Sequence, residues 1–258
     1  MLFGASNLTL SLPVAADLAT GFAVQGGSEA IPTTILAAHG PGRSYGVFGS
    51  CGLYGYPGLI RCNLIRHARA LVKAQPETRC FALLTDIGND ILLTENSTAL
   101  ERWLRTLISE LKAMNATIAI TDLPLENVRR MPAWKFKVLR RVFFPFSKAD
   151  RARTLSIAED VHNRVVRVCS DTGVPLLPTR NEWYGPDHFH LKWRYRETAF
   201  AAWLGRLFQM EPLSRGNLAC SKIDVWRTPL ERYRRLWWSR HFPDRTLELR
   251  PNVTLRCF

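Results

Sequence analysis

The sequence predicts an α/β protein in which a mainly parallel five-stranded sheet lies between two layers of helices, followed by a small C-terminal appendage. Short apolar runs of strand length alternate with helical segments along the first 210 residues, as in βαβ units. The 258 residues are 47% hydrophobic, which is enough for one sizeable core. The alternation stops near residue 210, so we predict a main domain over residues 1–210 and an appendage over residues 211–258.

The five predicted strands are short and apolar. They cover residues 2–4, 33–38, 80–85, 117–121 and 174–177. The first is a stub, because only four residues precede Ala5 whereas a central strand usually needs about five or six. We therefore expect the true start of the protein to lie upstream of Met1.

Helices are predicted between and after these strands. They cover residues 8–20, about 59–71, 98–115, 149–172 and 198–210. Gly21 and Gly173 are expected to end the first and fourth helices, and Thr98 and Glu101 have the spacing of a capping box. In the appendage, residues 232–238 predict an amphipathic helix, and two runs around Pro251-Asn252, residues 246–250 and 253–257, predict a hairpin.

Composition restricts the partners and the compartment. Thirty-five Lys and Arg against 22 Asp and Glu give a net charge of +13, which favours an anionic polymer or lipid surface, without pointing to a specific nucleic acid partner. The six cysteines form no Cys-x-x-Cys pair and have no metal-ligand spacing with histidine, so no metal site is predicted. No apolar run reaches about 18 residues and no basic segment precedes the first one, so we expect a cytoplasmic protein.

Polar blocks follow the predicted strands. Ser6 follows the first strand, a glycine-rich loop follows the second, and Gly88-Asn89 follows the third. The loop after the fifth strand contains Asp187-His188-Phe189-His190, in which Asp187 and His190 have Asp-x-x-His spacing. Parallel sheets bind ligands at the carboxyl ends of their strands. A serine nucleophile, an asparagine amide for an oxyanion and an Asp-oriented histidine base are the parts of a hydrolytic site.

These blocks resemble those of the SGNH hydrolases, in the GDSL esterase and lipase superfamily, which are named for Ser, Gly, Asn and His in four blocks. The resemblance implies a three-layer, flavodoxin-like fold and hydrolysis of an oxygen ester without a cofactor. It implies that Ser6 is the nucleophile, His190 the base and Asp187 its carboxylate partner. Ser6, Gly42 and Asn89 would then form the oxyanion hole.

Two residues depart from the family pattern. Ala5 stands where the family has an aspartate, and Ile87 occupies the first glycine position of Gly-x-Asn-Asp. Neither departure removes a proposed catalytic group. Two assignments stay open. Gly40 is the second choice after Gly42 for the glycine of the oxyanion hole, and His188 lies close to His190 as a second histidine in the same block.

Other sites compete with this interpretation. Ser44 lies in a Gly-x-Ser-x-Gly pattern, as in a nucleophile elbow, but a glycine-rich loop follows where an elbow requires a helix. Cys51 with His39 is a second alternative, supported only by closeness in sequence. Asp86 and Asp90 resemble a carboxylate pair, although capping or anchoring of the strand end is the favoured interpretation.

Substrate contacts are expected from two segments. Arg43, Ser44 and Tyr45 are predicted to bind substrate beside the oxyanion glycine. An insertion over residues 124–148 combines cations with aromatic residues near the active edge, which suits a membrane surface, an anionic polymer or an acidic acyl substrate.

The predicted function is hydrolysis of an ester of esterase, lipase or deacetylase type, on a small molecule or an acylated polymer. Acyl transfer to another alcohol uses the same groups and stays open. A non-catalytic basic module that binds an anionic polymer or lipid surface is the alternative from a different functional class.

Overall fold

A computed structural model describes residues 1–25, 32–51, 54–144, 147–212, 246–250 and 252–258. Seven strands of this part form one sheet, with the order β7-β6-β5-β1-β2-β9-β8, and β3 and β4 form a separate antiparallel pair. The strands are β1 (Leu2–Phe3), β2 (Thr33–Ala38), β3 (Gly49–Cys51), β4 (Tyr54–Tyr56), β5 (Phe81–Leu84), β6 (Thr117–Thr121), β7 (Leu176–Leu177), β8 (Thr246–Arg250) and β9 (Val253–Cys257).

Helices connect these strands. They are α1 (Ser6–Gln25), α2 (Leu64–Ala74), α3 (Asn89–Thr94), α4 (Ser97–Lys112), α5 (Leu125–Arg130), α6 (Ala133–Phe143), α7 (Arg151–Thr172) and α8 (Arg196–Phe208). Three short 3₁₀ turns lie at Leu59–Arg61, Asn181–Trp183 and Trp193–Tyr195.

The sheet has an apolar cluster on each face. Successive strand residues point to opposite faces, so Phe3 and Leu84 join the cluster with α2, α4 and α7, whereas Leu2 and Leu83 join the cluster with α1 and α8. Helices thus cover both faces of the sheet, and the predicted three-layer α/β class is confirmed.

The sheet has two more strands than the five predicted. β9 pairs in parallel with β2, and β8 pairs with β9 in antiparallel orientation. Val253 and Leu255 are buried there in the cluster with α1 and α8. The hairpin that the sequence assigned to an appendage therefore extends the central sheet, while the segment 232–238 lies outside the described residues.

Without this hairpin the strand order is β2-β1-β5-β6-β7, a doubly wound order. The order reverses between β1 and β5, and open α/β sheets bind ligands at such a point. The segments after β1 and β5 contain Ser6 and Asn89. In the described part of the chain, no helix is long and apolar enough to cross a membrane.

Some helix boundaries differ from the predictions. α1 begins at Ser6 and continues through Gly21 to Gln25, because burial of nearly the whole helix against the sheet outweighs the low helix propensity of glycine. At α4 the predicted capping box is wrong: the Asn96 side chain caps the helix by accepting from Ala99 N–H at 2.9 Å. Glu101 instead pairs with Arg105 and Arg164.

The predicted insertion over residues 124–148 forms α5 and α6, except for residues 145 and 146, which lie outside the described residues. Arg151 fixes the turn between these helices, because its guanidinium donates to Met131 O at 2.8 Å and to Arg129 O at 2.6 Å. The insertion therefore has a folded position next to the start of α7.

Candidate active site

Ser6 lies where β1 passes into α1. Only Gly4 and Ala5 separate the strand from the helix, and a Cβ atom at Gly4 would collide with the side chains of Thr85 and Leu8. Glycine is thus required for the close approach of this turn to β5. The turn leaves Ser6 as the first residue of a 20-residue helix, where the free N–H groups and the helix dipole favour negative charge.

His190 lies in a closed loop after β7. Gly185 N–H donates to His190 O at 2.7 Å, and His188 N–H donates to Gly185 O at 3.0 Å. His188 has a φ of 72°, in the left-handed region, so the chain reverses there. Of the two histidines in this block, the structure brings His190 to Ser6.

Ser6, His190 and Asp187 form one chain of hydrogen bonds. His190 Nε2 lies 2.9 Å from Ser6 Oγ, and His190 Nδ1 lies 2.7 Å from Asp187 Oδ2. The other carboxylate oxygen of Asp187 accepts from His190 N–H at 3.0 Å and from Phe189 N–H at 3.3 Å. The side chains of His190 and Asp187 keep 18% and 24% of their surface exposed, so solvent reaches the group.

The state of Asp187 determines the histidine tautomer. Burial by itself raises the pKa of Asp187, but the hydrogen bonds from the side chain and backbone of His190 outweigh burial, and the pKa lies below its usual value. Asp187 is therefore ionised at neutral pH and accepts a hydrogen bond from His190 Nδ1–H. The neutral imidazole then leaves Nε2 free to accept the Ser6 hydroxyl proton.

Asn7 and Asp86 connect the two halves of the site, and the sequence analysis did not single out Asn7. Asn7 Nδ2 donates to Asp86 Oδ1 at 2.8 Å and to Phe189 O at 3.0 Å, while Asn7 Oδ1 accepts from Leu191 N–H at 2.8 Å. The Asn7 amide thus holds the loop segment 189–191 against the serine turn and also binds Asp86. Its only sequence signal is its place directly after Ser6.

Asp86 caps the helix that begins at Ser6. Its Oδ2 accepts from Ala5 N–H at 2.6 Å and from Leu8 N–H at 3.1 Å. This agrees with the capping role favoured from the sequence. The serine turn of this chain contains Ala5 where the SGNH pattern has an aspartate. A carboxylate from another segment, Asp86 after β5, holds this turn.

The predicted oxyanion donors lie around the same site. Asn89 begins α3, and its Nδ2 lies 3.5 Å from Arg43 O, at the limit of a hydrogen bond. Gly42, with a φ of 68°, is the third residue of the turn Gly40-Pro41-Gly42-Arg43, which closes with Arg43 N–H on Gly40 O at 3.1 Å. Proline second and a left-handed glycine third are typical of a type II turn.

Ser6 and Asn89 both line one cavity, whereas Gly40 and Gly42 do not line it. Within the described residues, neither the backbone N–H of Ser6 nor that of Gly42 donates a hydrogen bond. Of the predicted oxyanion residues, Ser6 and Asn89 therefore line the cavity, and the part played by Gly42 stays a prediction.

Arg43, Ser44 and Tyr45 do not line the cavity, and their prediction as substrate-binding residues is wrong. All three are buried. The Arg43 guanidinium donates to His39 O, Pro57 O and Phe258 O at 2.5 to 3.1 Å. A polar, glycine-rich loop suggests exposure, whereas this loop folds inward, and its side chains satisfy backbone carbonyls.

Asp90 explains why Ser44 is unsuitable as a nucleophile. The Ser44 hydroxyl donates to Asp90 Oδ1, and Tyr45 N–H donates to Asp90 Oδ2 at 2.9 Å. Asp90 is itself buried, which raises its pKa to about 6, against the opposing effect of those two bonds. Asp90 therefore anchors the loop from inside the protein, and Asp86 and Asp90 do not face one another as a catalytic pair.

The alternative with Cys51 and His39 has no support from His39. The His39 side chain is buried, with Nδ1 3.2 Å from Thr9 Oγ1. The side chain of Cys51 lies outside the described part of the structure.

An apolar cavity opens beside Ser6. Its empty volume is about 1070 Å³, part of which is open to solvent. Much of the lining comes from α3, α5, α6 and α7 and from the segments that follow β5 and β6, and most of it is aliphatic or aromatic. The cavity lies at the carboxyl ends of the strands, as the sequence analysis expects for the functional site.

Comparisons with known proteins bear on the fold only in general terms. The sequence matches no family model and no curated protein. Among solved structures, the chain is similar to the psychrotrophic esterase EstA from Pseudoalteromonas sp., with 12% identity, a TM-score of 0.46, and coverage of 81% of this chain and 95% of that one.

Two further solved structures are similar to the same degree. TesA has 10% identity and a TM-score of 0.45, with coverage of 78% of this chain and 94% of TesA. The acetyl xylan esterase AlAXEase has 11% identity and a TM-score of 0.46, with coverage of 80% and 98%. A likeness at these values does not show what chemistry this chain performs.

Proposed function

We propose that this chain is a serine hydrolase that cleaves oxygen esters, as the SGNH motifs in its sequence imply. One observation supports the proposal most strongly: Ser6, His190 and Asp187 form a continuous hydrogen-bond chain beside an apolar cavity. A serine with a purely structural role does not require a histidine that is itself oriented by an ionised carboxylate. A serine nucleophile requires both the histidine, as its base, and the carboxylate that orients this histidine.

In the first half of the reaction, Ser6 Oγ attacks the ester carbonyl carbon while His190 Nε2 removes its proton. Asp187 stabilises the imidazolium that forms. The tetrahedral intermediate collapses when His190 returns the proton to the leaving alcohol, and the acyl group remains on Ser6.

The negative oxygen of that intermediate requires hydrogen-bond donors. The donors proposed are the N–H of Ser6, at the start of α1, the Asn89 amide and the N–H of Gly42, and of these residues Ser6 and Asn89 line the cavity. Removal of one such donor typically costs about 10²–10³ in rate.

In the second half, water replaces the alcohol. His190 takes a proton from this water, the hydroxide attacks the acyl carbon, and the proton then returns to Ser6 Oγ as the carboxylic acid leaves.

A cytoplasmic location, expected from the sequence, stays a prediction.

A turnover assay with p-nitrophenyl acetate tests the proposal. We expect Ser6→Ala to lower kcat by at least about 10³-fold, with an unchanged circular dichroism spectrum. Ser156→Ala is the matched control, because Ser156 is exposed on α7. If wild-type protein is inactive on esters, or if Ser6→Ala keeps full activity, the proposal is wrong.

A further inference from the structure

The charged groups that line the cavity beside Ser6 already have partners. Asp86 accepts the three bonds that hold the serine turn, and Asp122 Oδ1 lies 2.9 Å from His162 Nδ1 and accepts from Leu123 N–H at 2.7 Å. The guanidinium of Arg140 donates to Ser147 O at 2.5 Å. None of these groups requires a polar ligand for its own satisfaction.

Most of the remaining wall is hydrocarbon or aromatic. It includes Leu123, Val128, Met131, Phe136 and Leu139, and these come mostly from the insertion that forms α5 and α6. Small-molecule sites of this kind bind the apolar part of a ligand, with a few polar groups for orientation. Here Ser6 and Asn89 are among those polar groups.

We propose that this cavity binds the acyl chain of the ester, so that the substrate carries a medium or long hydrocarbon chain rather than acetate. This inference rests on the proposed function, because it places the ester carbonyl at Ser6. The chain then extends beneath α6 towards Val128 and Met131.

A series of p-nitrophenyl esters from acetyl to decanoyl tests the inference. Each methylene that enters the cavity should raise kcat/KM by about fourfold until the cavity is filled. Val128→Trp should lower the decanoyl to acetyl ratio of kcat/KM at least tenfold, because the indole occupies the cavity. Val166→Trp is the matched control, since Val166 is exposed on α7 and lies outside the cavity lining.

The outcomes separate this inference from the proposed function. Acetyl ester hydrolysis with no gain along the series overturns the acyl cavity alone. Inactivity on the whole series overturns both. A gain that Val128→Trp and Val166→Trp reduce equally also overturns the acyl cavity, because the effect would then be general destabilisation.

The outer face of α6, which does not line the cavity, exposes both apolar side chains and cations. Trp134, Val138 and Val142 lie one helical turn apart and are 68%, 53% and 65% exposed, so they form an apolar stripe towards solvent. Lys137 and Arg141 lie beside it, one turn apart and exposed. We call these five residues the α6 outer face.

Charge on this segment has one sign only. Residues 129–148 contain seven Lys or Arg and no Asp or Glu. Among the described residues, no carboxylate forms an ion pair with Lys137 or Arg141. An apolar stripe bordered by unpaired cations is the pattern of a helix that lies in a membrane interface.

The opposite face of α6 contacts the site. Phe136 and Leu139 line the cavity, and the Phe143 ring lies edge-on to His190, with centroids 5.7 Å apart. A surface against the outer face would therefore be one helix diameter from the cavity and from the base of the proposed reaction.

The geometry points to docking of the α6 outer face on an anionic lipid surface. The cations select phosphate-bearing headgroups, while the tryptophan and the two valines enter the boundary with the acyl chains. This is a property of the surface and does not depend on turnover at Ser6.

Co-sedimentation with vesicles tests the docking, and all variants are compared in a Ser6→Ala background, because the acyl esters of the vesicle lipids could otherwise react at the site. Otherwise wild-type protein should bind vesicles that contain phosphatidylglycerol much more tightly than vesicles of phosphatidylcholine alone. Each interfacial cation contributes about fivefold, so Lys137→Gln with Arg141→Gln should weaken binding about 25-fold. Trp134→Ser with Val138→Ser and Val142→Ser should weaken it at least tenfold.

The control has the same change in charge at other exposed positions. Arg66 on α2 and Arg102 on α4 are exposed, and Arg66→Gln with Arg102→Gln should change vesicle binding less than threefold. Equal losses in the two charge variants would show attraction by net charge alone and overturn the docking surface. Equal binding to both kinds of vesicle, or retention on heparin without vesicle binding, would also overturn it.

Discussion

At the scale of single residues, Asn7 is the least obvious part of the site. Its amide connects the serine turn to the backbone on either side of His190. Rate depends steeply on such placement, since a shift of about 1 Å can cost 10² in rate. We therefore regard Asn7 as a positioning residue, which does not itself touch the reacting atoms.

Asn7→Ala should lower kcat by about 10- to 100-fold with little change in KM, because the loop with His190 loses its tie to Ser6 while the cavity is kept. Steady-state kinetics with an ester substrate measure both constants. Asn163→Ala, at an exposed position of α7, should behave as wild type. A rise in KM with unchanged kcat would contradict a positioning role.

Arg43 is buried, although the sequence pattern predicted that it binds substrate. Its side chain is 1% exposed and holds three carbonyl groups, including Phe258 O beside β9. Arg43→Ala should lower the free energy of unfolding by about 2–4 kcal/mol, because it leaves a cavity and unsatisfied carbonyls. Urea denaturation measures this, and a loss no larger than that of Arg102→Ala would contradict it.

At the scale of elements, the start of α4 gives a direct test of capping. Asn96→Ala should lower the free energy of unfolding by about 1 kcal/mol, since it removes the acceptor for Ala99 N–H. Thr98→Ala should change it by less than about 0.5 kcal/mol, because Thr98 is exposed. Equal effects in thermal or urea unfolding would restore the capping box predicted from the sequence.

Asp90, which joins α3 to the loop after β2, should make the stability of the protein depend on pH. Burial raises the pKa of Asp90 from 3.8 to about 6 in the folded protein. Between these values the folded state keeps a proton that the unfolded chain has lost, so stability falls as pH rises through this window. The difference amounts to about 3 kcal/mol.

Urea unfolding of wild type and Asp90→Asn from pH 4 to pH 7 measures this effect. The difference in unfolding free energy between the two proteins should change by up to about 3 kcal/mol across the window and be constant above it. Parallel curves would show that Asp90 does not titrate with a raised pKa.

Several elements could be predicted from sequence because their signals are local. β2 and β6 have the predicted bounds, since each is a short apolar run between polar loops. The pairing of β9 with β2 joins segments more than 200 residues apart, and no local pattern encodes that register. For the same reason the inward fold of the loop around Arg43 and the bridge made by Asn7 were not predicted.

At the scale of the whole molecule, the strand order determines where the site forms. β1 and β5 are neighbours at the switch point, so the turn with Ser6 and the segment from Asp86 to Asn89 meet there, and the loop with His190 closes over them. This explains why blocks far apart in sequence were correctly expected at one edge of the sheet.

Labelling with a fluorophosphonate probe tests whether Ser6 is an activated nucleophile. The probe reacts with serines that a neighbouring base activates, and mass spectrometry of the digested protein identifies the modified residue. We predict one labelled serine, Ser6, and loss of the label in His190→Ala. A label on Ser44, or no label on the folded wild-type protein, would contradict the account.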